Sequence, residues 1–126
     1  MSNNNLGEIF YNFLRAPEAY KNTVYVDSRG IPTVGLGYAC IKKDKLTGKW
    51  DLSEDIETFL RLMGVNDDDI AFRRDEIGKC IEHIETIENE NKKGKNANAS
   101  LIKNCMSKIE DLITPLKGYT IRSGRI

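Results

Sequence analysis

An α+β fold is the class this sequence predicts, on three observations. Apolar residues at helical spacing open the chain, a β-branched and glycine-marked stretch follows at 23–39, and isoleucines at helical spacing run through much of the remainder. The expected architecture is an N-terminal helix plus a small antiparallel β-meander, followed by a helical region with a long helical hairpin. A chain of 126 residues makes one domain with a real core rather than two independent ones. Within it, 1–64 carries the first helix and the β-lobe, and 65–126 the helical part.

Each element has its own signal. Leu6, Ile9, Phe10, Phe13 and Leu14 share one helical face, with Asn3 to Asn5 as caps, so a helix is expected over about 5–15. Pro17 has no amide proton and restricts Ala16, so the chain leaves that helix near Glu18. Thr23 to Val26 is β-branched and aromatic, Ser28-Arg29-Gly30 is turn chemistry, and Ile31 to Ala39 holds Thr33, Val34 and spaced glycines. Two or three short strands follow from that. Lys42, Lys43 and Lys45 read as a solvated loop, and Trp50 and Leu52 lead into a second helix at about 53–63, capped by Asp51 or Ser53 and ended by Gly64.

Beyond Asn66 and Asp67, the stripe Ile70, Ile77, Cys80, Ile81, Ile84 and Ile87 predicts one longer helix running to about residue 90. Its isoleucines are expected in the core, the alternative being a surface for a partner. The polar stretch NENKKGKNANAS buries no apolar area and reads as a mobile loop. Leu101, Ile102, Cys105, Ile109, Leu112 and Ile113 then mark a last helix, halted by Pro115 and pairing antiparallel with the one before.

Composition excludes several classes of function. Lys plus Arg equals Asp plus Glu at 19 each, so no overall field draws the chain to nucleic acid or an anionic membrane. Cys40, Cys80 and Cys105 include no C-x-x-C pair, and His83 is the single histidine, so no metal site and no cofactor are expected and the cysteines read as packed thiols. The N-terminus lacks a basic region followed by an apolar run, and no stretch has the length of a membrane span. The chain is expected to be made in the cytoplasm without a signal peptide.

The chemistry concentrates in PEAYKNTVYVDSRGIPTVGLGYA, where Glu18 is followed nine residues later by Asp27 and six residues after that by Thr33. Glycosidic bond hydrolysis needs a proton donor for the departing oxygen and a carboxylate that stabilises the oxocarbenium-like centre or activates water. Glu18, at the junction of an apolar helix and a strand, is the acid candidate because desolvation keeps a carboxyl protonated. Asp27, in a turn with water and backbone amides around it, stays ionised. Thr33 offers a hydroxyl to hold a water. Tyr38 and Trp50 could stack on a sugar ring or serve the core.

This segment resembles the catalytic segment of phage-type lysozymes, which include endolysins. The shared pattern is a Glu, then Tyr-x-Asp, then Gly-x-x-Thr-x-Gly-x-Gly; here it stands as Glu18, Tyr25-Val26-Asp27, and Gly30-Ile31-Pro32-Thr33-Val34-Gly35-Leu36-Gly37. The resemblance implies a lysozyme-like domain and a muramidase cleaving between N-acetylmuramic acid and N-acetylglucosamine in peptidoglycan, without a metal. It makes Glu18 the acid, Asp27 the base or stabiliser and Thr33 the water-positioning residue, with Tyr25, Gly35 and Tyr38 on the substrate side. Such an enzyme acts on the cell wall after release or delivery, as a lysis protein or an antibacterial effector; an inhibitor or immunity protein would accompany the latter.

The chain departs from the family pattern at Ala19, which replaces a usual Gly, and at Tyr38, which replaces a usual His. Beyond about residue 65 a charged hairpin stands in place of the family's second lobe. That implies a rebuilt lobe, or a second chain or C-terminal remainder that completes the cleft. The alternative reading is a noncatalytic lysozyme-like module that binds the wall or another protein.

Overall fold

The computed structural model describes residues 23–34 and 37–119. The expected first helix, Glu18 and Gly35 lie outside the described residues. What is described is a mixed α and β structure, 57% helical and 15% strand. The order is β1 (Val24–Val26), β2 (Pro32–Val34), β3 (Tyr38–Ala39), β4 (Ile41–Lys43), β5 (Trp50–Leu52), then α1 (Ile56–Leu62), α2 (Asp67–Gly78), α3 (Cys80–Asn91) and α4 (Ala99–Ile113), with 3-10 turns at Gly94–Asn96 and Thr114–Gly118.

Strands β1, β2 and β3 form the expected antiparallel meander, in the order β1-β2-β3. Tyr25 pairs with Thr33 and Val24 with Val34 across β1–β2, and Thr33 pairs with Ala39 across β2–β3. Alternation sends Val24 and Val34 inward together, at 2% and 0% exposure.

Strands β4 and β5 correct the sequence reading. The stretch 41–52 is a second antiparallel hairpin, with Lys43 opposite Trp50 and Ile41 opposite Leu52. Its turn is organised by Asp44, whose Oδ1 accepts from the amides of Leu46 at 2.7 Å and Thr47 at 3.2 Å. Gly48, at φ +73°, closes it. An Asp-initiated turn lets Lys42 and Lys43 sit on a strand whose side chains reach solvent.

The helices differ from expectation in two places. The single helix expected to about residue 90 is interrupted at Lys79, directly after Gly78, the poorest helix former in that run. The stretch 92–98, read as a mobile loop, is tied down by Glu90. Its Oε1 accepts from the Asn98 amide at 2.9 Å and its Oε2 from Lys93 Nζ at 2.7 Å. Asn98 in turn caps α4, accepting from the Leu101 amide at 3.1 Å. Helix α1 starts at Ile56 with Asp55 as its N-cap, later than the sequence suggests, and Gly64 follows its end at φ +100°.

Helices α3 and α4 pair antiparallel: Lys79 and His83 at the start of α3 share a hollow with Lys108 and Leu112 at the end of α4. One hydrophobic core joins sheet and helices, from Val24 and Ile31 to Phe59, Ile87, Ile109 and Leu116. The isoleucine stripe lies in it at Ile70, Ile77, Ile84 and Ile87, with Ile81 partly buried against it. Cys40, Cys80 and Cys105 are free and buried. Burial pushes the Cys80 thiol up to about 12 and the Cys40 thiol far above its ordinary value. No helix among the described residues is long and apolar enough to cross a membrane.

Candidate functional site

The turn between β1 and β2 carries the residue of greatest chemical interest. Asp27 closes β1, and its carboxylate Oδ1 accepts from the amides of Arg29 at 2.8 Å and Ile31 at 2.9 Å. Oδ2 stands 3.9 Å from Arg29 Nε, a contact between partly exposed groups worth little in stability. One carboxylate oxygen is thus held by the backbone while the other is available to a water or ligand. The turn completes itself when Gly30 donates its amide to the Asp27 carbonyl at 3.0 Å.

Thr33, one residue into β2, is nearly buried at 5% exposure. Its Oγ1 donates to the Ile31 carbonyl at 2.8 Å, and the same carbonyl accepts from the Asp27 amide at 3.0 Å. Asp27 and Thr33 therefore converge on one backbone oxygen. With its proton committed there, the Thr33 hydroxyl keeps only lone pairs, so toward any water it acts as an acceptor. Tyr25, opposite Thr33 in the ladder, is half-buried.

Tyr38 does not fit the substrate-side position the sequence suggests. It is 2% exposed, and its ring stacks on Phe59 with centroids 4.5 Å apart at 25°. The phenol donates to Asp55 Oδ1 at 2.6 Å, and desolvation, followed by that carboxylate, pushes the hydroxyl's pKa far up. A ring enclosed by core partners offers no face to a sugar. Tyr38 joins the meander to the start of α1.

The sequence reading passed over a second polar group. Glu88 on α3 accepts from Lys43 Nζ at 2.6 Å and from Trp50 Nε1 at 3.2 Å, clamping the β4–β5 hairpin to the helix. The Lys43 ammonium holds the Glu88 carboxyl below its usual range, and the indole N–H adds to this. A hollow of about 240 Å³ opens beside the clamp, and another of about 330 Å³ shares Arg29, Trp50 and Glu88 with it. Only the hairpin register could have signalled this group, because Trp50 and Glu88 are far apart in sequence.

Comparison with protein-family models, with curated proteins and with solved structures finds no match for this chain.

Proposed function

We propose that this chain is a peptidoglycan hydrolase that cleaves the glycosidic bond between N-acetylmuramic acid and N-acetylglucosamine by acid/base catalysis, within a lysis protein or a delivered antibacterial effector. The observation that carries the reading is that Ile31 holds both groups at one end of one hairpin: its amide donates to the Asp27 carboxylate and its carbonyl accepts from the Thr33 hydroxyl. The sequence pattern from Glu18 to Gly37, with its phage-lysozyme spacing, supplies the rest.

In this mechanism Glu18 gives its proton to the departing oxygen as the glycosidic bond breaks. Asp27 faces the positive charge that grows on the sugar ring, or takes a proton from the attacking water. Backbone amides on Oδ1 fix the direction of the carboxylate, so little reorganisation is needed as the ring charge develops. Thr33 accepts a hydrogen bond from the water and turns the water's lone pair toward the anomeric carbon. A new C–O bond then forms; one proton of the water stays on the new anomeric hydroxyl, and the other, taken up by Asp27, passes through solvent to restore Glu18.

Clearing of purified cell-wall suspensions by the wild-type chain, Glu18→Gln and Asp27→Asn tests the proposal. Wild type is expected to clear the suspension, with each variant slower by about 10²-fold or more. Equal clearing by all three proteins defeats the enzymatic reading, and no clearing by any of them leaves the noncatalytic binding module.

A further inference from the structure

The hollow beside Glu88 has the composition of a glycan-binding subsite. Ile84 and Ile87 line one part of it and the Trp50 indole another, while Arg29 and Lys92 add positive charge. The indole is held in place: its N–H is bound by Glu88 Oε1 at 3.2 Å and the Lys43 ammonium sits 5.9 Å from the ring centroid. A fixed aromatic wall suits the C–H face of a pyranose, since little ordering remains to be done on binding.

Charge narrows the ligand further. Among the described residues Glu88 is the only acid in the lining, and Lys43 at 2.6 Å neutralises it. Lys92 is exposed, and the Arg29 side chain is 70% exposed with Asp27 no closer than 3.9 Å. The net field in the hollow is therefore positive, and an Arg fork is well matched to a carboxylate. Asn91 completes the lining with an amide able to pair with an acetamido group. At about 240 Å³ the space falls below the range of drug-sized pockets, which suits a single sugar unit.

We infer that this hollow binds an N-acetylated sugar bearing a carboxylate, as in a muramyl unit whose lactyl group carries no stem peptide, at a position separate from the cleavage site. The substrate class rests on the hydrolase reading, whereas the binding itself needs no reaction. Arg29 belongs to the turn that carries Asp27, so a strand held here passes close to that turn.

Trp50 is the single tryptophan of the chain, so its fluorescence reports on this hollow and on the neighbouring one that shares its ring. Substitutions at Asn91 and Lys92, which line the first and not the second, tell the two apart. N-acetylmuramic acid, diacetylchitobiose and inorganic phosphate are titrated into the full chain carrying Asp27→Asn, which removes turnover. A saturable Trp50 response to N-acetylmuramic acid is expected, about tenfold weaker for diacetylchitobiose, for phosphate and after adding Lys92→Glu. Circular dichroism verifies that the Lys92 variant is folded, and Asn91→Asp, which adds a negative charge to the same wall, is expected to weaken binding likewise.

No saturable response up to about 10 mM overturns the subsite. Equal affinity for the neutral disaccharide or for phosphate, or indifference to both substitutions, also overturns it. Wild type that clears cell walls while Trp50 stays silent overturns the subsite and leaves the hydrolase standing. A Trp50 response without any clearing supports the subsite and ends the hydrolase reading.

Discussion

Gly30 and Ile87 meet so closely that a Cβ on Gly30 would lie 3.0 Å from Ile87 Cδ1, with Ile109 Cδ1 at 3.1 Å and Met106 Sδ at 3.3 Å. The turn that holds Asp27 is thus pressed against both helices of the α3–α4 hairpin. The α3–α4 hairpin supports the Asp27 turn from behind.

Gly30→Ala should be costly on two counts. At φ +87° an L side chain is strained, and the new methyl must displace core isoleucines packed at interior density. The expected loss is about 2–4 kcal/mol, read as a lowered urea midpoint. Gly94→Ala is the control, because φ +59° leaves only the backbone cost and nothing lies within 4 Å; about 1 kcal/mol is expected there. Equal losses in the two variants would show that the turn does not bear on the helices.

Thr33→Val separates stability from chemistry. The Ile31 carbonyl keeps the Asp27 amide as a donor when the hydroxyl goes, and Val suits a strand, so stability should change by less than about 1 kcal/mol. Under the proposed mechanism the attacking water loses its acceptor, and turnover should fall by at least about tenfold with little change in KM. Thr33→Ser should restore most of the rate. A Val variant that clears cell walls at the wild-type rate removes Thr33 from the mechanism.

The parts of this fold legible in the sequence are those set by local chemistry. The β-branched run, the Asp27–Gly30 turn and the helical stripe of α4 are each decided within a few residues, as are the spacings that single out Asp27 and Thr33. The β4–β5 hairpin was hidden because a lysine run resembles a loop until its partner strand is known. The break at Lys79 was hidden because Ile77, Ile81 and Ile84 keep helical spacing straight through it. Tyr38 misled because its partners, Asp55 and Phe59, come from the next element. Trp50 and Glu88, 38 residues apart, meet only in three dimensions.

Tyr38→Phe tests the structural role assigned to that ring. The stacking on Phe59 survives, but the Asp55 carboxylate loses a 2.6 Å donor at the start of α1. A hydrogen bond to a charged acceptor is worth about 1.5–3 kcal/mol, so a loss near the lower end is expected in urea unfolding because Asp55 is only partly buried. Binding of wall fragments should be unchanged. A variant of wild-type stability with weakened binding would return Tyr38 to the substrate side.

Acid sensitivity should concentrate at Glu90. Lys93, and after it the Asn98 amide, hold this carboxyl below the usual carboxylate range, and in the unfolded chain it reverts to about 4.3. A depressed folded pKa contributes stability that is fully present above the unfolded value and lost as pH falls through the folded one. The urea midpoint should therefore be flat on the acid side down to about pH 4–5 and decline below it. Glu90→Gln still accepts from the Asn98 amide but carries no charge for Lys93, so it should start less stable and decline less steeply below about pH 4.3. Glu88, held down chiefly by Lys43, contributes a slope of the same sign that the Glu90 variant retains. Parallel acid limbs in wild type and Glu90→Gln would mean that the connection between α3 and α4 is not secured by this charge.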